Sequence, residues 1–143
     1  KGALMKAEIH RKLSDLKRYV GFLRQYQKKT LNDLKKDHTL RAAVERYMQL
    51  SLEIVIEIGE MVIAYKGFRK PAKHREIIQI LAENKILPKA FSQKFAPAMG
   101  FRNILVHRYG ELDINKLYSH LKNDIKDFDT FARYVAEYIK KRK

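Results

Sequence analysis

The stretch that decides the fold is Met48-Gln-Leu-Ser-Leu-Glu-Ile-Val-Ile-Glu-Ile-Gly-Glu-Met-Val-Ile-Ala-Tyr65. It approaches the length of a membrane span, yet it holds Glu53, Glu57 and Glu60, three carboxylates that a bilayer core penalises heavily. These fall at i, i+4 and i+7, so they share one face of a helix. Ile54, Val55, Ile56, Ile58, Met61, Val62 and Ile63 cover most of the remaining circumference. A helix that is apolar on nearly every side sits at the centre of a bundle or is shared with a second subunit. The helix extends back to His38, with Asp37 as N-cap, and Gly67 stops it, giving residues 38–65.

Working outward, the neighbouring segments are helical too. Ile9, Leu13, Leu16, Val20 and Leu23 recur at steps of three and four and predict a helix over 6–28. Thr30 caps a short turn that points Leu31 and Leu34 inward. Pro71 suits the first turn of a third helix, 72–84, and Pro88 opens a fourth, 89–107. Pro97 falls inside that fourth pattern and predicts a break near Ala96. Asp113 caps a fifth helix, 114–140, with a stripe of Leu117, Leu121, Ile125, Phe128, Ala132, Val135 and Ile139. No alternating strand pattern competes. The expected fold is all-α, an up-and-down bundle of about five helices.

The chain has 143 residues, the size of one domain. We read residues 5–143 as that domain and residues 1–4 as a remnant of expression, because Met5 opens the first amphipathic pattern. The absence of cysteine excludes disulfides, thiolate metal sites and thiol nucleophiles. With 31 Lys and Arg against 16 Asp and Glu, the net charge of +15 points to phosphate-rich or acidic partners. No signal peptide or membrane span is read, which predicts a cytoplasmic protein with no membrane partner. No glycine-rich phosphate loop occurs. No two of His10, His38, His74, His107 and His120 lie within one helical turn, so neither a cofactor nor a metal is expected. His74 and His120 read as surface histidines.

One segment carries chemistry: Phe101-Arg102-Asn103-Ile104-Leu105-Val106-His107-Arg108-Tyr109-Gly110. Asn103 and His107 are i, i+4 and stack on one face. Arg102 lies about 140° around the axis from His107, so a single helix aims the two along diverging directions. A site using both gathers at the helix end or at an interface with a second copy. Arginine can hold a phosphate with two parallel hydrogen bonds, and histidine can move a proton near neutral pH. Tyr109 can donate to phosphate or stack on a base, and Gly110 lets the chain turn after it. Arg, His and Tyr near a helix end also serve as plain caps and surface contacts, and spacing alone favours that reading.

Arg102-x4-His107-x-Tyr109, with Asn103 after the arginine, resembles the R-x4-6-H motif of the HEPN superfamily. It is closest to the form found in the HepT toxins of HepT–MntA toxin–antitoxin pairs. The resemblance runs from Met5 to about Ile139 and includes residues 43–49 and the Leu112-Asp113 cap. It implies a HEPN-like bundle that forms a homodimer, with both copies of Arg102 and His107 in one composite cleft. It implies an endoribonuclease that needs no metal, in which the ribose 2′-hydroxyl attacks the adjacent phosphate. His107 would be the general acid or base, Arg102 would stabilise the phosphate, and Asn103 would position. The implied partner is an MntA-type nucleotidyltransferase antitoxin that silences the toxin by transferring AMP to Tyr109. The alternative is a non-catalytic helical module that binds and regulates such an enzyme.

Beside that resemblance stand further candidates. Glu53, Glu57 and Glu60 can orient Arg102 across the dimer, with Glu57 carried forward as the supporting residue. Glu60 reads as balancing surface lysines. The basic connector Lys66, Arg69, Lys70, Lys73 and Arg75, together with Arg108, is a candidate path for RNA, although charge runs are usually solvated faces. The tyrosines, Tyr134 among them, fall at helical spacing and cover the core with wet hydroxyls.

Overall fold

The computed structural model describes residues 2–107 and 112–141. They form eight helices and no strand: α1 (Gly2–Tyr26), α2 (Leu31–Lys36), α3 (His38–Lys66), α4 (His74–Glu83), α5 (Lys89–Phe95), α6 (Ala98–His107), α7 (Ile114–Asn123) and α8 (Ile125–Lys141). The count exceeds five for three local reasons. The turn after Thr30 closes into α2 through a reciprocal cap, with Thr30 N–H donating to Asp33 at 2.8 Å and Asp33 N–H donating to Thr30 Oγ1 at 3.1 Å. Hydrogen bonding from Thr30, its backbone N–H first and its side chain second, lowers the pKa of the Asp33 carboxyl. Pro97 separates α5 from α6 at the expected place. The expected fifth helix breaks at Asp124, whose buried carboxylate takes His120 Nδ1 at 2.7 Å. The apolar stripe keeps its period across that break, which is why the sequence reads as one helix.

α3 is the axis of the bundle, with α1, α4, α6 and α8 packed on it and α2 and α7 completing the enclosure. Asp37 caps it by accepting from Leu40 N–H at 3.1 Å. At its end Gly67 takes φ 68°, ψ 30°, and Phe68 N–H closes the last turn on the Ile63 carbonyl at 3.0 Å. Ile54, Val55, Ile56, Ile58, Val62 and Ile63 are all buried within the chain itself. The apolar surplus of α3 is therefore met by its own neighbours, without a second subunit. Phe95, Phe128 and Phe131 close the core on the α5–α8 side, with Phe95 edge-on to Phe128 at 5.8 Å between ring centroids.

Expectation and structure also differ at α4. The chain from Phe68 to Lys73 stays non-helical, and Pro71 lies outside the helix it was expected to start. Arg69 pins this connector to α4 by a two-pronged pair with Glu83, at 2.9 and 2.8 Å. Glu76 accepts from Ala72 N–H at 3.0 Å, so the amide is satisfied without a helical turn.

α4 packs tightly on α3 at Gly59, where a Cβ would lie 2.2 Å from the Cγ2 of fully buried Ile77. Gly59→Ala should destabilise the fold by about 1–3 kcal/mol through overpacking, despite the better helix propensity of alanine. Gly21 in α1 has open space around it. Gly21→Ala should therefore stabilise by about 0.5–1 kcal/mol. Urea unfolding of the two variants checks this: a Gly59→Ala chain as stable as the parent or more so would show that α4 does not press on α3 at Gly59.

Candidate active site

α6 owes its place to four buried residues. Ala98, Met99, Phe101 and Leu105 anchor it in the core, and the Phe101 ring lies flat on His120 of α7 at 4.0 Å between centroids. His120 is thus a half-buried packing residue bonded to Asp124, not the surface histidine expected. The outward arc of α6 follows from about 100° per residue. Starting at half-buried Arg102, it passes through Val106, Asn103, His107 and Ile104 in that angular order, and all four of these are exposed. Ile104 and Val106, at 42 % and 38 % exposure, are unusually bare for large aliphatic residues and flank the polar pair.

Arg102 is held by α3 of its own chain. Its Nε and Nη2 reach the same oxygen of Glu53 at 3.3 and 3.2 Å, and its Nη1 donates to Asn103 Oδ1 at 3.4 Å. Glu53 also accepts from Gln49 at 3.1 Å. The result is a chain Gln49–Glu53–Arg102–Asn103 that sets the guanidinium plane before any ligand arrives. The partial burial of Arg102 and Glu53 weakens solvent screening of their pair.

Glu57, one turn further along α3, pairs with Lys12 of α1 at 2.9 Å. The carboxylate that touches Arg102 is Glu53, and Gln49 behind it was not singled out from sequence. Their signal was present as i, i+4 spacing on the carboxylate stripe, but the stripe alone does not say which member faces α6. Glu53, Glu57, Glu60, Ile56, His74 and Arg102 together line a hollow of about 250 Å³. His74 is half-buried there, so it too departs from the surface role expected.

The basic connector divides. Lys66, Lys70, Lys73 and Arg75 are exposed. Arg69 is engaged by Glu83 and, at 3.5 Å, by Glu76. Those carboxylates raise its already high pKa, and Arg69 in turn lowers that of Glu83. Arg69 therefore acts as a structural clamp in this fold. Arg108 and Tyr109 lie outside the described residues. No group of three or more His, Asp or Glu among the described residues could hold a metal ion. Nor is any helix among them long and apolar enough to cross a membrane.

Comparison with known proteins bears on both fold and site. A tRNA nuclease HepT from Aphanizomenon flos-aquae is 24% identical over 131 residues, covering 92% of this chain and 89% of that protein. An mRNA nuclease HepT from Shewanella oneidensis is 26% identical over 104 residues, covering 73% and 78%. The solved structure of a tri-AMPylated Shewanella oneidensis HEPN toxin in complex with an MNT antitoxin superposes with a TM-score of 0.79 at 25% identity, covering 90% of this chain and 96% of that one. The family model described as ribonuclease HepT-like matches residues 10–135, nearly the whole bundle with the Arg102–His107 segment inside it. The chain belongs to the ribonuclease HepT-like family.

Proposed function

We propose that the protein is the toxin of a toxin–antitoxin pair, an endoribonuclease whose active site is completed by a second copy of the chain. The observation that carries this reading is the outward arc of α6. An amide and a histidine lie between two bare aliphatic residues, and a cation suited to phosphate, held by Glu53, stands just beyond Val106. Burying Ile104 and Val106 against their symmetry mates would bring two copies of Asn103 and His107 face to face. It would also resolve the diverging directions of Arg102 and His107 on one helix. Dimerisation then rests on α6 instead of the apolar run of α3. Ile104→Glu combined with Val106→Glu should give a folded monomer without RNA cleavage. Light scattering on the parent chain should give twice the chain mass, and a monomer that still cleaves RNA would exclude a composite site.

In the reaction, the 2′-hydroxyl oxygen bonds to the adjacent phosphorus while the bond from phosphorus to the 5′-oxygen breaks. One His107 takes the 2′-hydroxyl proton, and the leaving 5′-oxygen gains a proton from the other. Arg102 matches the charge building on the phosphoryl oxygens, and Asn103 orients a phosphate oxygen or the imidazole. The products are a 2′,3′-cyclic phosphate and a 5′-hydroxyl. Arg102→Ala and His107→Ala should each lower cleavage about a hundredfold or more in a folded protein. RNA should be cleaved in EDTA, while DNA, lacking the 2′-hydroxyl, should be inert. Full activity of folded His107→Ala would remove His107 as the proton carrier.

The relative from Shewanella oneidensis was solved AMPylated and bound to an MNT antitoxin, which supports the same regulation here. In that regulation the Tyr109 hydroxyl attacks the α-phosphorus of ATP on the nucleotidyltransferase, pyrophosphate leaves, and the phenolic proton is lost. The AMP adds negative charge and a base two residues from His107, where RNA phosphate would bind. Tyr109→Phe should escape silencing by the co-expressed nucleotidyltransferase. Peptide mass mapping of the parent chain should find AMP on Tyr109, and AMP confined to another tyrosine such as Tyr118 would overturn the assignment.

A further inference from the structure

A second feature lies apart from the α6 arc, between the end of α4, the start of α5 and the last turns of α8. It is a cleft of about 820 Å³, within the usual size range of small-ligand sites. Lys85, Lys89 and Lys141 line it, with Glu137 as the opposing charge. Half-buried Tyr134 and Tyr138 form one wall, and Pro88 and Leu87 lie across from them.

The backbone at Lys85 makes this more than a chance cluster. α4 ends with Lys85 N–H bonded to the Ala82 carbonyl at 3.0 Å and Ile86 N–H bonded to the Leu81 carbonyl at 2.9 Å. This closure places the residue after the cap in the left-handed region, where glycine is the usual occupant. Lys85 sits there at φ 62°, alone among the described non-glycine residues in having a positive φ. A lysine stands where glycine would relieve strain, and it lines the cleft.

We propose that this cleft is a second RNA contact. It would bind a single-stranded segment outside the scissile bond, with phosphates on Lys85, Lys89 and Lys141 and a base against Tyr134. Side-chain ammonium groups along a backbone path beside aromatic faces are the general means of holding unpaired RNA without sequence preference. The inference rests on the ribonuclease reading for its choice of ligand.

The test is binding of a labelled 20-nucleotide mixed-sequence single-stranded RNA by the His107→Ala chain across a salt series. Lys85→Gly with Lys89→Gln and Lys141→Gln should weaken binding at least tenfold and lower the salt slope by about two. Tyr134→Leu should cost roughly tenfold with the slope unchanged. Lys85→Gly alone should weaken binding while raising the midpoint of thermal unfolding, a combination that a purely structural lysine would not give. Because the chain is strongly basic, Lys28→Gln with Lys35→Gln and Lys36→Gln serves as a matched control. Equal losses in both triple variants would overturn the site in favour of diffuse charge. Unchanged RNA affinity, including the case in which the cleft triple instead loses its antitoxin partner, would also overturn it. Cleavage is read separately on the parent chain, so a parent chain that cuts no RNA while the His107→Ala chain binds it through this cleft would refute the ribonuclease reading and not the site.

Discussion

A helix with aliphatic residues on nearly every side can persist in water only if other elements surround it, and α3 imposes that demand on the whole chain. Burying one aliphatic side chain contributes about 1.5–3 kcal/mol. Ile54 to Ile63 therefore dominate the choice of architecture. The helices packed around α3 bury them, and between Glu53 and Ile63 the side chains left within reach of solvent are Glu53, Glu57, Glu60 and Met61. The tight packing of α4 at Gly59 is possible because that residue lacks a side chain.

The glutamate strip is where structure becomes chemistry. An arginine's long side chain loses considerable rotamer freedom when it is ordered, which is a cost that any ligand contact by Arg102 must meet. Glu53 and Gln49 order the Arg102 side chain in advance on an element that is itself immobilised by the core. The same pair sets a condition on the proposed phosphate contact: one edge of the guanidinium already faces Glu53, so the proposed selectivity rests on Asn103 and His107 beside it as well as on charge. Nearby lysines without this support offer attraction but no alignment.

What could be read from residues, and what could not, divides along the same line. The helical periods, the caps at Asp37, Thr30 and Asp113, the stop at Gly67 and the break at Pro97 are local, and each appears where its residue type requires it. Which carboxylate meets Arg102 depends on the register of α6 against α3, a tertiary quantity that leaves Glu53 and Glu57 equivalent by spacing. Arg69 looks like any other member of a basic run until the fold brings Glu83 beside it. His120 and Asp124 illustrate the same limit: the ring stacks on Phe101, the carboxylate turns inward to meet it, and a period that continues unbroken in sequence is cut in space. The motif residues Arg102, Asn103 and His107 were legible as a set, but their support was not.

The large positive charge also acquires a physical division of labour. Excess charge spread evenly over a surface raises encounter rates with any polyanion but carries no orientation. In this chain part of it is compensated internally, as at Arg69, Lys12 and Arg102, each paired with a carboxylate of another element or loop. The lysines around the α4–α5 turn and the end of α8 instead gather on a cleft with aromatic walls. The proposed cleavage site needs RNA to arrive in a particular pose. A contact elsewhere on the same strand can fix that pose without touching the reacting atoms, because RNA is itself a chain. The left-handed backbone at Lys85, a stability cost of roughly 1 kcal/mol or more, then belongs to a residue that lines the proposed RNA contact, so strain and binding meet at one position.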